Sequence, residues 1–151
     1  MFTRFAIALV LGALLGLERE LVGKESAGVR TVMLVSGGAA IFAMTGLMLP
    51  YIVSAGTGNL ADVVARNGGY LAMIANIVVG IGFLGSGIII KTNDDHPHGV
   101  TTAALIWIAA AIGILVGIGL IEFAAAATVL LALLLYMLRK LNLSERANGK
   151  R

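Results

Sequence analysis

The chain is predicted to be an all-α integral membrane protein, a compact bundle of five transmembrane helices with the amino terminus outside and the carboxyl terminus cytoplasmic. Three observations lead there. Of its 151 residues 59% are hydrophobic and 13% charged, against about 25% charged in soluble domains, and mean hydropathy is +0.98. Residues 70–90 run without a single charge. Residues 100–138 carry one, Glu122, and as a single helix would measure about 58 Å, roughly twice the hydrocarbon thickness. That last stretch must therefore turn back on itself.

The first helix is expected over residues 2–22. Arg4 precedes an apolar run, residues 5–17, that has the length of a signal-peptide core. Glu18-Arg19-Glu20 follows at once with no small-residue cleavage site, so a retained helix is expected. The second helix covers residues 29–53, with Pro50 near its end. Residues 54–69 are looser and hold Asp62 and Arg66. A short interfacial helix is expected within them, over residues 60–66. The third span is residues 70–90, polar only at Asn76 and Ser86. Spans four and five share residues 100–138 and turn within residues 117–122. A short basic tail, residues 142–151, is expected to follow a transmembrane domain of residues 1–141, with no soluble domain after it.

Orientation follows from the cations. With the amino terminus outside, the cytoplasm receives Arg19, Lys24, Arg30, Lys91, Arg139, Lys140, Arg146, Lys150 and Arg151, and the outside keeps Arg4 and Arg66. Positive-inside bias favours that split. The net charge of +3 is then a matter of topology and lipid contact, and nucleic-acid binding is not expected.

Glycines are the second theme. Gly80, Gly82, Gly85 and Gly87 crowd one span, where each costs roughly 0.5–1 kcal/mol relative to Ala in an ordinary helix. In a bilayer small residues let helices approach closely. Gly12 and Gly16, and Gly113 and Gly117, repeat the pattern at a spacing of four. All eight are expected at helix contacts. Gly80-x-Gly82-x-x-Gly85 also spells the dinucleotide fingerprint, but that motif needs a strand before it and a helix after it. Here it lies mid-span.

The polar residues converge on the cytoplasmic side, where the first helix ends, the second begins, the third ends and the fourth begins. Glu18, Arg19, Glu20, Arg30, Thr31, Lys91, Asp94, Asp95, His96, His98, Thr101 and Thr102 lie there. The thirteen apolar residues before Glu18 cover only about 20 Å of helix. Either the membrane thins, or these charges sit partly within it, paired with Arg30 or each other; the plainer alternative is a cluster solvated by headgroups. Intramembrane ionisable groups are functional candidates. Thr101 and Thr102 form an ordinary N-cap or a helix start that holds an anion, with Glu18 or Glu20 as internal partner. Asn76 is expected to hydrogen-bond between helices, Glu122 to be solvated, and residues 94–98 to form an exposed polar turn. There are no cysteines, both histidines share one loop and no serine has a base beside it, so no catalytic set, metal site or cofactor is expected.

Together these segments resemble the MgtC/SapB family of bacterial inner-membrane proteins. The resemblance lies in Gly12-Ala-Leu-Leu-Gly-Leu-Glu-Arg-Glu20, Val29-Arg-Thr31, Gly80-Ile-Gly-Phe-Leu-Gly-Ser-Gly-Ile-Ile89, and Gly99-Val-Thr-Thr-Ala-Ala104 with Trp107 and Gly113, four blocks spread over residues 5–138. It implies a small multi-pass protein linked to growth in low magnesium and to survival inside host cells. It also implies a modulator of other membrane machinery, with the F-type ATP synthase as a proposed target, and it marks Glu18, Arg19, Glu20, Arg30, Asn76, Thr101 and Thr102 as family motif positions. Three positions depart: Val32 where histidine is common, Asn76 where glutamine is usual, and His98 where arginine precedes the glycine. The chain matches a short form without the soluble carboxyl-terminal domain of longer members.

The leading expectation is a non-enzymatic modulator that acts through helix contacts with a partner or a second copy, a homodimer being favoured by the glycine faces. The alternative is a small magnesium or proton pathway built on Glu18, Glu20, Arg30 and Thr102. It needs Asn76, Ser86 or a dimer interface to cross the outer half.

Overall fold

A computed structural model describes residues 1–20, 28–57, 61, 65, 69–91 and 97–148. These contain five long helices: α1 (Phe2–Glu20), α2 (Val29–Thr57), α3 (Gly69–Ile88), α4 (Val100–Ile118) and α5 (Ile121–Asn148). Between α3 and α4 lies one antiparallel pair of two-residue strands, β1 (Ile90–Lys91) and β2 (Pro97–His98). The apolar sequences leave no alternative to helix in lipid, since every backbone N–H and C=O must be satisfied within its own segment.

The fold agrees with an all-helical bundle and refines its boundaries. Helix α2 runs past Pro50 to Thr57 rather than stopping near residue 53. Pro50 has no N–H to give the Gly46 carbonyl, yet the helix continues through it; one turn earlier Thr45 Oγ1 donates to the Ile41 carbonyl at 2.8 Å. Helix α5 continues through the basic residues to Asn148. The short ladder, Ile90 with His98 and Lys91 with Pro97, ties the ends of the segment read as a plain polar turn. The expected short helix over residues 60–66 lies largely outside the described residues, as do Asp94, Asp95 and His96.

The turn within residues 117–122 is at Gly119, whose φ of 101° is left-handed. Gly119 N–H donates to the Val116 carbonyl and Leu120 N–H to the Leu115 carbonyl, the two bonds of a Schellman ending. Glu122 then stands exposed in the first turn of α5, beside its positive dipole end. Gly119→Ala is expected to cost about 1–2 kcal/mol, because a side chain at positive φ crowds its own backbone. The new Cβ would also lie 3.0 Å from Arg4 Nη2. Unfolding in detergent micelles checks it.

Helix α2 is central and lies against both α1 and α4; α3 packs on α4 and α2, and α5 on α1 and α4. Close pairs set the directions. Gly16 meets Val29 and Gly12 meets Ser36, so α1 and α2 are antiparallel. Gly113 meets Ser36 and Gly117 meets Ala40 and Ala43, so α2 and α4 are parallel. The core sits at this crossing: Ala8, Leu11, Leu15, Val32, Ala40, Met44, Leu105, Ala109, Ile112 and Val116, with Ala124 of α5.

The eight glycines divide. A Cβ on Gly12 would lie 2.7 Å from the Ser36 Cβ, one on Gly16 2.7 Å from the Val29 Cα, and one on Gly117 2.8 Å from the Ala40 carbonyl oxygen. On Gly113 it would fall inside the Ser36 carbonyl oxygen. At these positions glycine lets one helix lie directly on the backbone of its neighbour, and at Gly12, Gly113 and Gly117 a carbonyl oxygen of α2 is among the atoms it meets. The run in α3 is different. Around Gly80, Gly82 and Gly87 nothing lies within 4 Å of an added Cβ, and Gly85 finds only Ala103 at 3.7 Å. Among the described residues Gly80, Gly82 and Gly87 do not make the close packing expected of them: α3 lies at the edge of the bundle, with Gly85 toward α4 and Gly80 toward α2 across an open groove.

Among the described residues three helices have apolar segments long enough to cross a membrane, Val29–Ile52, Val100–Ile118 and Ile121–Leu138; the apolar runs Phe2–Leu17 and Ala72–Ile88 are shorter. On α5, Val129, Leu130, Leu133, Leu134, Met137 and Leu138 are all exposed. An apolar surface of this extent suits lipid rather than water.

Candidate functional site

The helix directions place the predicted cluster. Arg4, at the start of α1, donates from Nη1 to the Gly117 carbonyl at 2.9 Å near the end of α4, so α1 and α4 are antiparallel. The end of α1 and the starts of α2 and α4 therefore share one end of the bundle, which brings Glu20, Arg30, Thr31, Thr101 and Thr102 to the same side.

Within that end the partners differ from expectation. The Glu20 carboxylate accepts a hydrogen bond from Val29 N–H at 3.4 Å, and a Cβ on Gly28 would lie 3.9 Å from Glu20 Oε2. Glu20 thus meets the positive end of α2, where free amides favour an anion. One of the two readings of the start of α4 made Glu18 or Glu20 its internal partner. There the N-cap is Gly99, with φ 87° and no side-chain capping bond, so Thr101 and Thr102 sit inside the first turn. Thr101 is exposed and Thr102 buried, so the pair splits between the surface and the packed side of α4. Arg30 is exposed and Thr31 half-buried. The side chains of Glu18 and Arg19 lie outside the described residues.

Asn76 does not join the cluster. It stands about three turns before the end of α3, exposed, on the wall of an apolar groove of about 560 Å³ between α2 and α3. Leu34, Gly38 and Phe42 form one wall, and Met73, Ile77 and Gly80 flank Asn76 on the other. The hydrogen bond expected from it to another helix is not made within the described residues. Ser86 instead donates back to the Phe83 carbonyl at 2.7 Å.

Sequence reasoning missed two residues. Arg4 was read only as a flanking charge, yet it closes the other end of the bundle, a cation on the carbonyl end of α4. Arg4→Met is expected to cost about 1–2 kcal/mol, for a charge-assisted bond and a helix-dipole contact; detergent unfolding reads it. Ser36 is fully buried where α1, α2 and α4 cross, and its Oγ finds no hydrogen-bond partner. The signal for it was a hydroxyl followed by Gly37-Gly38 inside an apolar run, since polar groups within spans are the residues to examine first.

Comparison with known proteins finds relatives over most of the chain. Residues 5–143 match the model of the MgtC family. The protein named MgtC of Brucella abortus is 39% identical over 134 residues, covering 89% of this chain and 49% of that protein. Protein MgtC of Salmonella typhimurium is 36% identical over 133 residues, 88% of this chain and 50% of its own. Protein SrpB of Synechococcus elongatus is 36% identical over 124 residues, 78% of this chain and 63% of its own. The chain thus spans about half the length of the MgtC proteins it matches. No solved structure matches it.

Proposed function

The chain belongs to the MgtC family, and on that premise we propose that it is a multi-pass protein of the bacterial inner membrane that modulates membrane physiology during magnesium limitation or intracellular survival. It does so without catalysis, by helix contact with a second copy or another membrane protein, the F-type ATP synthase being one candidate. All five helices cross the bilayer, with the Glu20 and Arg30 end in the cytoplasm and the Arg4 end outside, the arrangement favoured by the distribution of cations.

The observation that carries this reading is the division of the glycines. Gly12, Gly16, Gly113 and Gly117 close the three-helix centre against neighbouring backbone, which leaves little room there for a hydrated path. On α3, Gly80 and Gly87 find no neighbour within 4 Å of an added Cβ among the described residues, which leaves them open to contact from another molecule.

The test is growth of the host at limiting magnesium with the gene deleted. Slowed growth restored by the wild-type chain is expected; a deletion strain indifferent to magnesium sinks the proposal. Purified protein in liposomes is expected to pass neither magnesium nor protons. Flux that disappears in a Glu18→Gln, Glu20→Gln double variant would replace the modulator with an ion pathway.

A further inference from the structure

Resting on the self-association just proposed, we infer that a second copy docks along the outer stripe of α3, with Asn76 of each copy hydrogen-bonded to Asn76 of the other across a two-fold axis.

The stripe follows from spacing. Ala72, Asn76, Gly80, Phe83 and Gly87 recur at four, four, three and four residues along α3, which puts them on one narrow face of the helix. All five are exposed. Gly85, on the opposite side, is buried against Ala103 of α4, so the stripe faces away from α4; Asn76 and Gly80 stand at the open groove beside α2, and Ala72, Phe83 and Gly87 continue the stripe outside it. From Asn76 onward the spacing is that of a knobs-into-holes seam.

Each position has a use in such a seam. Phe83 is 84% exposed and stands between Gly80 and Gly87, where an added Cβ would meet nothing within 4 Å. The glycines leave hollows on either side of the ring, so the aromatic side chain of one copy has space against the glycine backbone of the next. Asn76 supplies the specificity. It lies two turns inside α3, about 10 Å along the helix from its first residue, with donors and an acceptor that lipid tails cannot bond. A partner with an amide at the same depth satisfies both. Two copies in one membrane share their orientation, and a two-fold axis along the membrane normal sets each residue of α3 near its own counterpart. The second copy therefore provides the matching amide at the matching depth. A phospholipid, whose polar groups lie at the surface, does not.

The absence of cysteine makes the test clean. Gly80→Cys, Phe83→Cys and, as the control facing α4, Val78→Cys are oxidised in native membrane vesicles, and dimer fraction is read on non-reducing gels. Disulfide-linked dimers are expected at positions 80 and 83 and not at 78. Association of Asn76→Leu, measured by dilution in lipid vesicles, is expected to weaken roughly tenfold, and Asn76→Gln to retain most of it. A dimer that cross-links only elsewhere overturns the α3 seam and leaves self-association standing. A monomer overturns both. Cross-linking at 80 and 83 with Asn76→Leu no weaker overturns the amide pair, and points to a seam held by Phe83 and the glycines alone.

Discussion

Gly113→Ala is expected to cost about 3 kcal/mol or more, the upper range for overpacking a closed interior. Gly82→Ala is expected to be neutral or to stabilise by roughly 0.5–1 kcal/mol, as in any helix that loses a glycine. The two substitutions are chemically identical and both fall in apolar helices, so position alone separates them. At Gly113 the new methyl group would enter the carbonyl oxygen of Ser36, with the Ala39 Cβ 3.0 Å away. A side chain can rotate out of such a clash; the backbone of α2, held on its other face by Gly12 and Gly16 of α1, cannot. Helix α4 must move away from α2, opening the core around Ile112 and Val116. At Gly82 the methyl group meets nothing. Yield of folded protein in membranes and unfolding in SDS-containing micelles measure both. Equal losses in the two variants would mean that α2 and α4 do not approach as closely as the structure places them.

Ser36→Ala is expected to stabilise the protein by about 1–2 kcal/mol. A buried hydroxyl without a partner costs about 1–3 kcal/mol in lost hydration, and Ser36 Oγ is such a group. The substitution keeps the Cβ that packs against Gly12 and removes only the oxygen. Most buried polar groups are bonded, so an exception invites a functional explanation. The same variant decides that question in cells. A more stable protein that no longer supports growth at low magnesium would mean that the hydroxyl acts in function. A less stable one would mean that it holds a partner, such as a buried water, in the membrane.

The class of fold and the order of its helices were legible because lipid is a restrictive solvent. A run of twenty or so apolar residues has one outcome there. The turn inside residues 100–138 followed from length alone; that it falls at Gly119 and not at Gly117 is a finding of the structure. The polar end was legible in part. Alternation of helix direction brings Glu20, Arg30, Thr31, Thr101 and Thr102 to one side, but which helix start Glu20 caps depends on the angle at which α1 meets α2. Arg4 and Ser36 escaped because their roles depend on the far ends of other helices: Gly117 is 113 residues from Arg4, and no local pattern links them.

The glycines mark the boundary between the two kinds of knowledge. Composition and spacing by themselves determined a membrane-embedded helical bundle with small residues on its helices, since hydropathy and length are local quantities. Only the tertiary structure decided which of those residues are in contact. Gly12-x-x-x-Gly16, Gly113-x-x-x-Gly117 and the run from Gly80 to Gly87 all signal close approach, yet the first two pairs meet α2 and, of the third, only Gly85 meets a neighbour within 4 Å of an added Cβ among the described residues. The difference lies in the rotation of each helix about its axis and in which neighbour it meets. Both are set by the fit of all five helices together, and no single segment carries that information.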